Sequence, residues 1–372
     1  MKKAVSFILC FVLGFGFFAF KADALGTSAQ AHILMDADSG IILSQNNENT
    51  KMKMASTTKI MTTLLALEEA EKKDKVVTFT EDMIAEGSSM YLQVGDKVRL
   101  SDLAKGMMMA SGNDAANATA LTLSKSFEEF AILMNARAER IGMKNTNFVT
   151  PSGLDDDNHY STAFDMALLM AEAIKNEDFC KISASKEEKI EFVYPEGKIS
   201  TYPNHNRLLS IYKYSTGGKT GYTRAAGRCL VSSAEKDGVT LIAVTLNASD
   251  DWNDHKALYE YGFSLYTQIE PENNRIFNIR VSGGEEDFLT ASADEDTPFS
   301  VPANRINDIE KKIYLPSFVF APVSESDIVG KITYTLDGKE LKTTYIKADS
   351  SVAEKPQPNL FIRIFNAIFS RE

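Results

Sequence analysis

The sequence is poor in the residues that build metal centres and disulfide frameworks. Its 372 residues include three cysteines and four histidines, and the histidines follow no metal-ligand spacing. Cys10 lies in an N-terminal apolar run, so Cys180 and Cys229 are the cysteines of the remaining chain, and no C-x-x-C motif joins them. We therefore expect two unpaired thiols, no metal site and no disulfide scaffold.

Positive charge is also scarce. Lysine and arginine number 40 against 51 aspartates and glutamates, which gives a formal net charge of -11. Proteins that bind nucleic acid need a basic surface, so the charge argues against that class of partner. The remaining composition, 44% hydrophobic and 24% charged residues, is that of a globular protein. The length suits one large domain and a smaller one.

The N-terminus has the order of regions found in secretory signal peptides. Lys2 and Lys3 precede an apolar run over residues 4–20, and Ala22-Asp23-Ala24 supplies small residues for cleavage. We expect residues 1–24 to be removed. The alternative is a retained membrane anchor, because a run of about 17 apolar residues is near the minimum for a span. In either case the rest of the protein is expected to be exported and to work outside the cytoplasm.

Hydrophobic periodicity predicts a helical middle flanked by strands in a large domain over residues 25–268. Helices are expected from residue 56 onward, after Ser101-Asp102, and over 117–141, 163–176 and 252–267. Strands are expected within 32–43 and around 217–221, 229–234 and 240–246. Strands at both ends of a helical region indicate the α+β class rather than a regular βαβ repeat.

Residues 270–350 are expected to form a small all-β domain, since alternating runs meet there across Asp337-Gly338, a strong hairpin signal. Residues 351–372 then combine a polar linker with an amphipathic stretch from residue 360 that is too short to span a bilayer. Its many phenylalanines and isoleucines favour a helix lying in the membrane interface. The alternative is a C-terminal helix packed on the core.

Ser56-Thr57-Thr58-Lys59 puts a hydroxyl and an amine one helical turn apart on the same face. The dipole at a helix N-terminus stabilises negative charge that develops on a serine oxygen. Burial among apolar residues lowers the pKa of a lysine, so the lysine can act as a neutral base. The spacing alone is weak evidence, because Ser183–Lys186, Ser210–Lys213 and Ser233–Lys236 share it.

Two further motifs follow in the chain, and together with the first they make a catalytic role for Ser56 and Lys59 a stronger hypothesis. Ser111-Gly112-Asn113 offers a hydroxyl for proton relay and an amide that can orient a lysine or a substrate. Lys219-Thr220-Gly221, which occurs once, offers a charge and a hydroxyl for a substrate carboxylate. Its glycine lets a ligand backbone approach a strand closely.

The ordered set resembles the signature of the penicillin-binding protein and serine β-lactamase superfamily. Its surroundings are similar to the low-molecular-weight penicillin-binding proteins that are serine D-alanyl-D-alanine carboxypeptidases, over about residues 30–265. The segments that carry this resemblance are 55–62, 111–116, 145–148, 152–155, 160–163 and 218–223. It implies a β-lactamase/transpeptidase-like domain, an antiparallel sheet covered by helices with a helical subdomain. It also implies a spacer role for the β domain, a membrane-anchoring final helix and no cofactor.

The resemblance also implies a function and residue roles. The substrate would be a peptidoglycan stem peptide ending in D-Ala-D-Ala, and β-lactam antibiotics would inhibit. Ser56 would form the acyl-enzyme, Lys59 would accept its proton, and Ser111 would pass a proton to the leaving D-alanine. The substrate contacts would be Asn113, Lys219, Thr220, Gly221 and Tyr222, where the backbone N–H groups of Ser56 and Tyr222 form the oxyanion hole.

One departure and several alternatives remain. Some relatives carry an arginine in the segment equivalent to 246–252, and this chain has none there, which leaves Lys219, Thr220 and Arg224 or Arg228 for the substrate carboxylate. The same site could serve a D,D-endopeptidase or transpeptidase. A class A β-lactamase is disfavoured because no glutamate between the second and third motifs has the E-x-x-L-N setting. A non-enzymatic wall sensor is disfavoured because all the motif residues are present.

Overall fold

The computed structural model describes residues 25–356. The expected signal peptide, residues 1–24, and the expected anchor helix from residue 358 therefore lie outside the described residues. The chain divides into two compact units. Of the described residues, one unit contains 25–236 and Thr240–Gly262, and the other contains Asp237–Val239 and 263–356.

The first unit contains helices and strands. Its strands are β1 (Ala29–Asp36), β2 (Ile42–Asn46), β3 (Val76–Thr78), β4 (Lys97–Arg99), β5 (Glu187–Glu191), β6 (Ile199–Pro203), β7 (Ser215–Thr223), β8 (Gly227–Lys236) and β9 (Val239–Ala248). Its helices are α1 (Lys59–Ala70), α2 (Leu100–Met109), α3 (Asn113–Leu123), α4 (Phe127–Ile141), α5 (Ala163–Ala173), α6 (Glu177–Ala184), α7 (Leu208–Ile211) and α8 (Asp251–Ser264).

A five-stranded sheet in the order β2-β1-β9-β8-β7 forms the base of this unit, with β7 at one edge. Helix α1 is its central helix and packs against α2, α3 and α5. Apolar side chains on several sides of α1 are buried, among them Ile60, Met61 and Leu67, as expected for a helix surrounded by protein. The first motif begins at the N-terminus of this central helix and the third lies on the edge strand.

Several helix boundaries differ from the sequence expectation. The helix expected over 252–267 ends at Ser264, and Tyr266–Ile269 is a strand. Residues 117–141 are not one helix, because α3 ends at Leu123 and α4 starts after Ser126, whose Oγ accepts a hydrogen bond from the N–H of Glu129. Helix α2 begins at Leu100, so Ser101 is not its N-cap; the Ser101 hydroxyl donates to Asp74 instead. The start of α4 depends on a local side-chain hydrogen bond at Ser126, which hydrophobic periodicity does not register.

The second unit, as far as it is described, is formed mainly of strands. They are β10 (Tyr266–Ile269), β11 (Ile276–Ser282), β12 (Phe288–Ala293), β13 (Phe299–Pro302), β14 (Glu310–Tyr314), β15 (Phe318–Phe320), β16 (Ile328–Leu336) and β17 (Lys339–Ala348). Six of them form a sheet in the order β14-β16-β17-β12-β11-β15. The expected hairpin is present between β16 and β17, where Asp337 and Gly338 both have positive φ (52° and 78°), as a two-residue hairpin turn requires.

Residues just past 350, which the sequence assigned to a linker, lie along this second unit. Val352 forms a bridge with Val323 and is buried, and Glu354 forms a bridge with Gly284. Across residues 25–356, no helix combines the length and the apolar character needed to cross a bilayer.

Candidate active site

Ser56 lies in a 3-10 turn, Ala55–Thr58, that leads directly into α1. Ala55 has the left-handed φ of 48°, which is unusual for a residue other than glycine, and its side chain is buried. Ser56 is half-buried, whereas Thr57, Thr58 and Lys59 are buried. The sequence thus directs one hydroxyl of this turn outward at the start of the central helix.

Lys59 is fully buried, and its Nζ atom has three oxygen partners. They are Ser56 Oγ at 2.9 Å, Asn113 Oδ1 at 2.7 Å and the backbone oxygen of Ser152 at 2.8 Å. Burial lowers the pKa of Lys59 well below its usual range, and the nearby Lys219 charge lowers it further, against a weaker raising effect of Asp114. The expected neutral amine beside Ser56 is what this environment favours.

The second motif occupies the turn between α2 and α3. Ser111 has a left-handed φ of 55° and is buried. Asn113 is the first residue of α3, and its amide nitrogen donates to the backbone oxygen of Glu86 at 2.6 Å. That bond fixes the amide so that its oxygen faces Lys59. The turn therefore brings the second motif onto the first.

The third motif lies on β7. The Nζ atom of Lys219 is 3.0 Å from Ser111 Oγ and 2.8 Å from the backbone oxygen of Thr220, and the side chain is 1% exposed. Burial lowers the pKa of Lys219 to about 7. Lys59 thus contacts Ser56 and Asn113, and Lys219 contacts Ser111, so hydrogen bonds join the three motifs.

Gly221 lets the backbone of β7 lie directly against the Ser56 turn. A Cβ atom added at Gly221 would come within 2.9 Å of the backbone nitrogen of Ser56 and 3.0 Å of that of Thr57. Contacts this short do not occur at real Cβ atoms, so a side chain would force the strand and the turn apart. The glycine of the motif is required by this close approach.

A cavity of about 480 Å³ opens at Ser56. Its lining residues are Ser56, Ser88, Ser111, His205, Thr220, Gly221, Tyr222, Arg228, Asp251 and Trp252. Five of the eight residues predicted for the site line it directly, and hydrogen bonds connect the other three, Lys59, Asn113 and Lys219, to these lining residues. Within the described part of the chain no cluster of His, Cys, Asp and Glu side chains is arranged to hold a metal ion.

Several lining residues carried no sequence signal. The backbone oxygen of Ser88 accepts a hydrogen bond from Asn113 N at 2.7 Å, and Trp252 lies in the first turn of α8; neither belongs to a motif. His205, which belongs to none of the three motifs, lies at the cavity wall, where partial burial of its ring and the Lys219 charge lower its pKa. These residues come from separate segments of the chain, so no fixed sequence spacing marks them as parts of one cavity wall.

Arg228 rather than Arg224 reaches the cavity. Its guanidinium donates to Asp251 and lies 5.7 Å from the centroid of the Trp252 ring, which holds the charge in place. Strand β8 thus places an arginine at the cavity, whereas the 246–252 segment contains none. The ion pair with Asp251 reduces the field of this charge in the cavity.

The chain matches a family model described as D-alanyl-D-alanine carboxypeptidase over residues 19–250. The chain belongs to this family. Residues 266–354 match a second model, the C-terminal domain of penicillin-binding protein 5. The D-alanyl-D-alanine carboxypeptidase DacF of Bacillus subtilis is 33% identical over 95% of this chain and 94% of its own length. DacC of Escherichia coli is 35% identical over 86% of this chain and 83% of its own length.

A comparison with solved structures supports the same family assignment. Penicillin-binding protein 5 from Haemophilus influenzae has a TM-score of 0.62 and 30% identity, over 88% of this chain and 98% of that one. The prediction of a low-molecular-weight penicillin-binding serine D-alanyl-D-alanine carboxypeptidase is confirmed, as is the α+β class with a following all-β domain. Family members act on D-Ala-D-Ala peptides of peptidoglycan and bind β-lactams, which is consistent with action outside the cytoplasm.

Proposed function

We propose that this D-alanyl-D-alanine carboxypeptidase removes the terminal D-alanine of stem pentapeptides through an acyl-enzyme on Ser56. The observation that carries the proposal is the arrangement around Lys59 Nζ, 2.9 Å from Ser56 Oγ in a fully buried environment. A serine needs a base to become a nucleophile, and the described cavity offers this amine in hydrogen-bonding contact with the hydroxyl.

The other two partners of Lys59 orient its lone pair. A neutral amine has two N–H bonds and one lone pair, whereas Asn113 Oδ1 and the backbone oxygen of Ser152 can only accept hydrogen bonds. These two oxygens take both hydrogens, so the lone pair is left facing Ser56 Oγ. The serine hydroxyl then donates to Lys59, which is the direction that proton abstraction requires.

Acylation follows from this geometry. Ser56 Oγ bonds to the carbonyl carbon of the penultimate D-alanine as its proton passes to Lys59, and the backbone N–H groups of Ser56 and Tyr222 bind the resulting oxyanion. The C–N bond breaks while the proton taken by Lys59 passes through Ser111 to the leaving amine, which returns Lys59 to its neutral form. Water then attacks the ester with Lys59 again as base, which frees Ser56 and the tetrapeptide.

Three groups are proposed to hold the substrate around the reacting carbonyl. Asn113 contacts the substrate amide, and Lys219 and Thr220 contact the terminal carboxylate. With its pKa at about 7, Lys219 is partly neutral in the empty site, and an arriving carboxylate favours its cationic form. Arg228 adds a second positive charge at the cavity wall.

Incubation with a purified stem pentapeptide tests the reaction. We expect release of one free D-alanine per peptide and formation of the tetrapeptide, with no cross-linked product when a second peptide supplies an amine. Arg228→Leu should raise KM for this peptide because the cavity loses its fixed positive charge. A cross-linked dimer as the main product would instead make the enzyme a transpeptidase, and cleavage of a pre-formed cross-link in place of the pentapeptide would make it an endopeptidase.

We also propose that the enzyme is exported and held at the membrane surface by the amphipathic stretch at its C-terminus. Deleting residues 358–372 is expected to move the enzyme from the membrane fraction to the soluble fraction without changing its kcat on soluble peptide. Two matched substitutions sharpen the test. Phe365→Asp puts a charge on the apolar face of the sequence pattern and should weaken vesicle binding, whereas Asn366→Asp puts the same charge on the polar face and should not. A truncated protein that unfolds would show instead that the stretch belongs to the core.

A further inference from the structure

A buried histidine behind the cavity connects the Ser56 turn to a neighbouring loop. The His159 side chain is 2% exposed. Its Nδ1 atom is 2.9 Å from the backbone nitrogen of Val149 and 3.1 Å from that of Thr150, and its Nε2 atom is 2.9 Å from Thr58 Oγ1. Backbone N–H groups can only donate, so Nδ1 is an unprotonated acceptor. The ring proton of the neutral form is then on Nε2, which donates to Thr58.

The loop held by His159 carries the carbonyl group that contacts Lys59. It spans residues 149–153, and Ser152 contributes the oxygen 2.8 Å from Lys59 Nζ. Thr62 Oγ1 donates to the Pro151 oxygen at 2.6 Å, which ties the loop to α1 as well. Gly153 has φ of 84°, and a Cβ there would come within 1.9 Å of the Ala55 oxygen. The loop and the Ser56 turn therefore fit together in one closely packed arrangement.

We propose that His159 is a positioning residue for the reaction: by accepting both loop N–H groups it holds the Ser152 carbonyl against Lys59 and keeps the lysine lone pair directed at Ser56. This inference rests on the proposed role of Lys59 as the base. It adds a requirement that none of the three sequence motifs contains. The histidine touches neither substrate nor reacting atoms, and it acts through a backbone oxygen.

The surrounding charges keep His159 in the required form. Burial lowers the pKa of His159 to about 4; Asp156 and Asp155 oppose this shift and Lys53 adds to it. The ring is thus neutral at the pH of a cell wall, and Nδ1 stays an acceptor. The charged groups that act on Lys59 itself are Lys219 and Asp114. Below this pKa, Nδ1 of His159 would carry a proton and face the N–H groups of Val149 and Thr150. It could no longer accept their hydrogen bonds, and the loop would loosen.

Penicillin acylation measured against pH tests the proposal. His159→Ala is expected to lower the acylation rate by about 10²-fold, the scale of a small misplacement of a reacting group. Water admitted around Lys59 should raise its pKa, so the acid limb of the pH profile should move to higher pH. His255→Ala is the matched control. That histidine is equally buried and bonds Ser232 and Thr245, away from Lys59, so its loss should lower the melting temperature and leave the pH profile in place.

Two conservative variants separate positioning from packing. Asparagine can put an acceptor oxygen near the Nδ1 position, whereas glutamine extends its amide toward the Nε2 position. His159→Asn should therefore restore much of the rate and the acid limb, and His159→Gln should not. This pair also decides the matter if His159→Ala does not fold. Equal rescue by both variants, or a rate loss without a shift of the limb, would overturn the proposal.

The proposed base is tested separately by substitution of Lys59. If Lys59→Ala is impaired while His159→Ala acylates normally, the positioning role fails and the base stands. If Lys59→Ala acylates normally, the base itself is wrong, and the positioning role falls with it.

Discussion

Replacing Ser56 with alanine is expected to abolish covalent labelling of the protein by fluorescent penicillin. The label forms when Ser56 Oγ opens the lactam ring and remains as an ester, so without that oxygen there is no bond to detect on a gel. The fold should survive, because Ser56 is half-buried and the substitution removes one atom whose recorded partner is Lys59. Thermal melts of the two proteins check this point.

The chain offers a matched control for this result. Ser210 and Lys213 have the same spacing as Ser56 and Lys59, but Ser210 lies exposed on α7 and does not line the cavity at Ser56. Ser210→Ala should be labelled at the wild-type rate. Labelling that persists in Ser56→Ala would move the nucleophile elsewhere and remove the basis of the proposed mechanism.

Substitution of Lys59 by alanine should lower the rate of penicillin acylation by about 10²–10⁴-fold, the usual contribution of a positioned general base. In the wild-type enzyme the rate should rise with pH through the pKa of Lys59, because only the unprotonated amine can accept the serine proton. Burial holds that pKa well below its usual range, so the rise should occur at an unusually low pH for a lysine. The same limb should be missing from the variant.

Arginine at position 59 distinguishes a base from a mere positive charge. An arginine stays protonated at every accessible pH, so Lys59→Arg keeps the charge and loses the ability to accept a proton. We expect it to acylate as slowly as Lys59→Ala, and Lys59→Met gives a neutral side chain of similar length for comparison. Substantial activity in Lys59→Arg would assign the lysine an electrostatic role instead.

The part of the site that consists of side chains at regular sequence spacing could be predicted from the sequence. Ser56 and Lys59 share a turn, and the order of the three motifs indicates a shared pocket. The Ser152 carbonyl could not be predicted in this way, because every residue has a backbone oxygen and no pattern marks the one that contacts Lys59. The cavity position of His205 was missed for a related reason, since a loop brings it there.

The fold, too, was predictable where a regular sequence pattern marks it and not elsewhere. The hairpin at Asp337-Gly338 was predictable because two consecutive residues with positive φ favour that dipeptide. The break between α3 and α4 was not, because it depends on one serine hydroxyl that competes with an otherwise continuous helical pattern. The pairing of Val352 with Val323 was also missed, since a bridge of single residues has no period.

The tight fit of Gly221 against the Ser56 turn has a consequence for drug resistance. Under the proposed mechanism, the same backbone amide of Ser56 stabilises the peptide and the antibiotic, and it lies where any side chain at position 221 would intrude. A mutation there that shut out β-lactams would also shut out the wall peptide. We therefore expect no resistance mutation at position 221. Resistance has to arise at parts of the cavity rim that the wall peptide and the β-lactam contact differently.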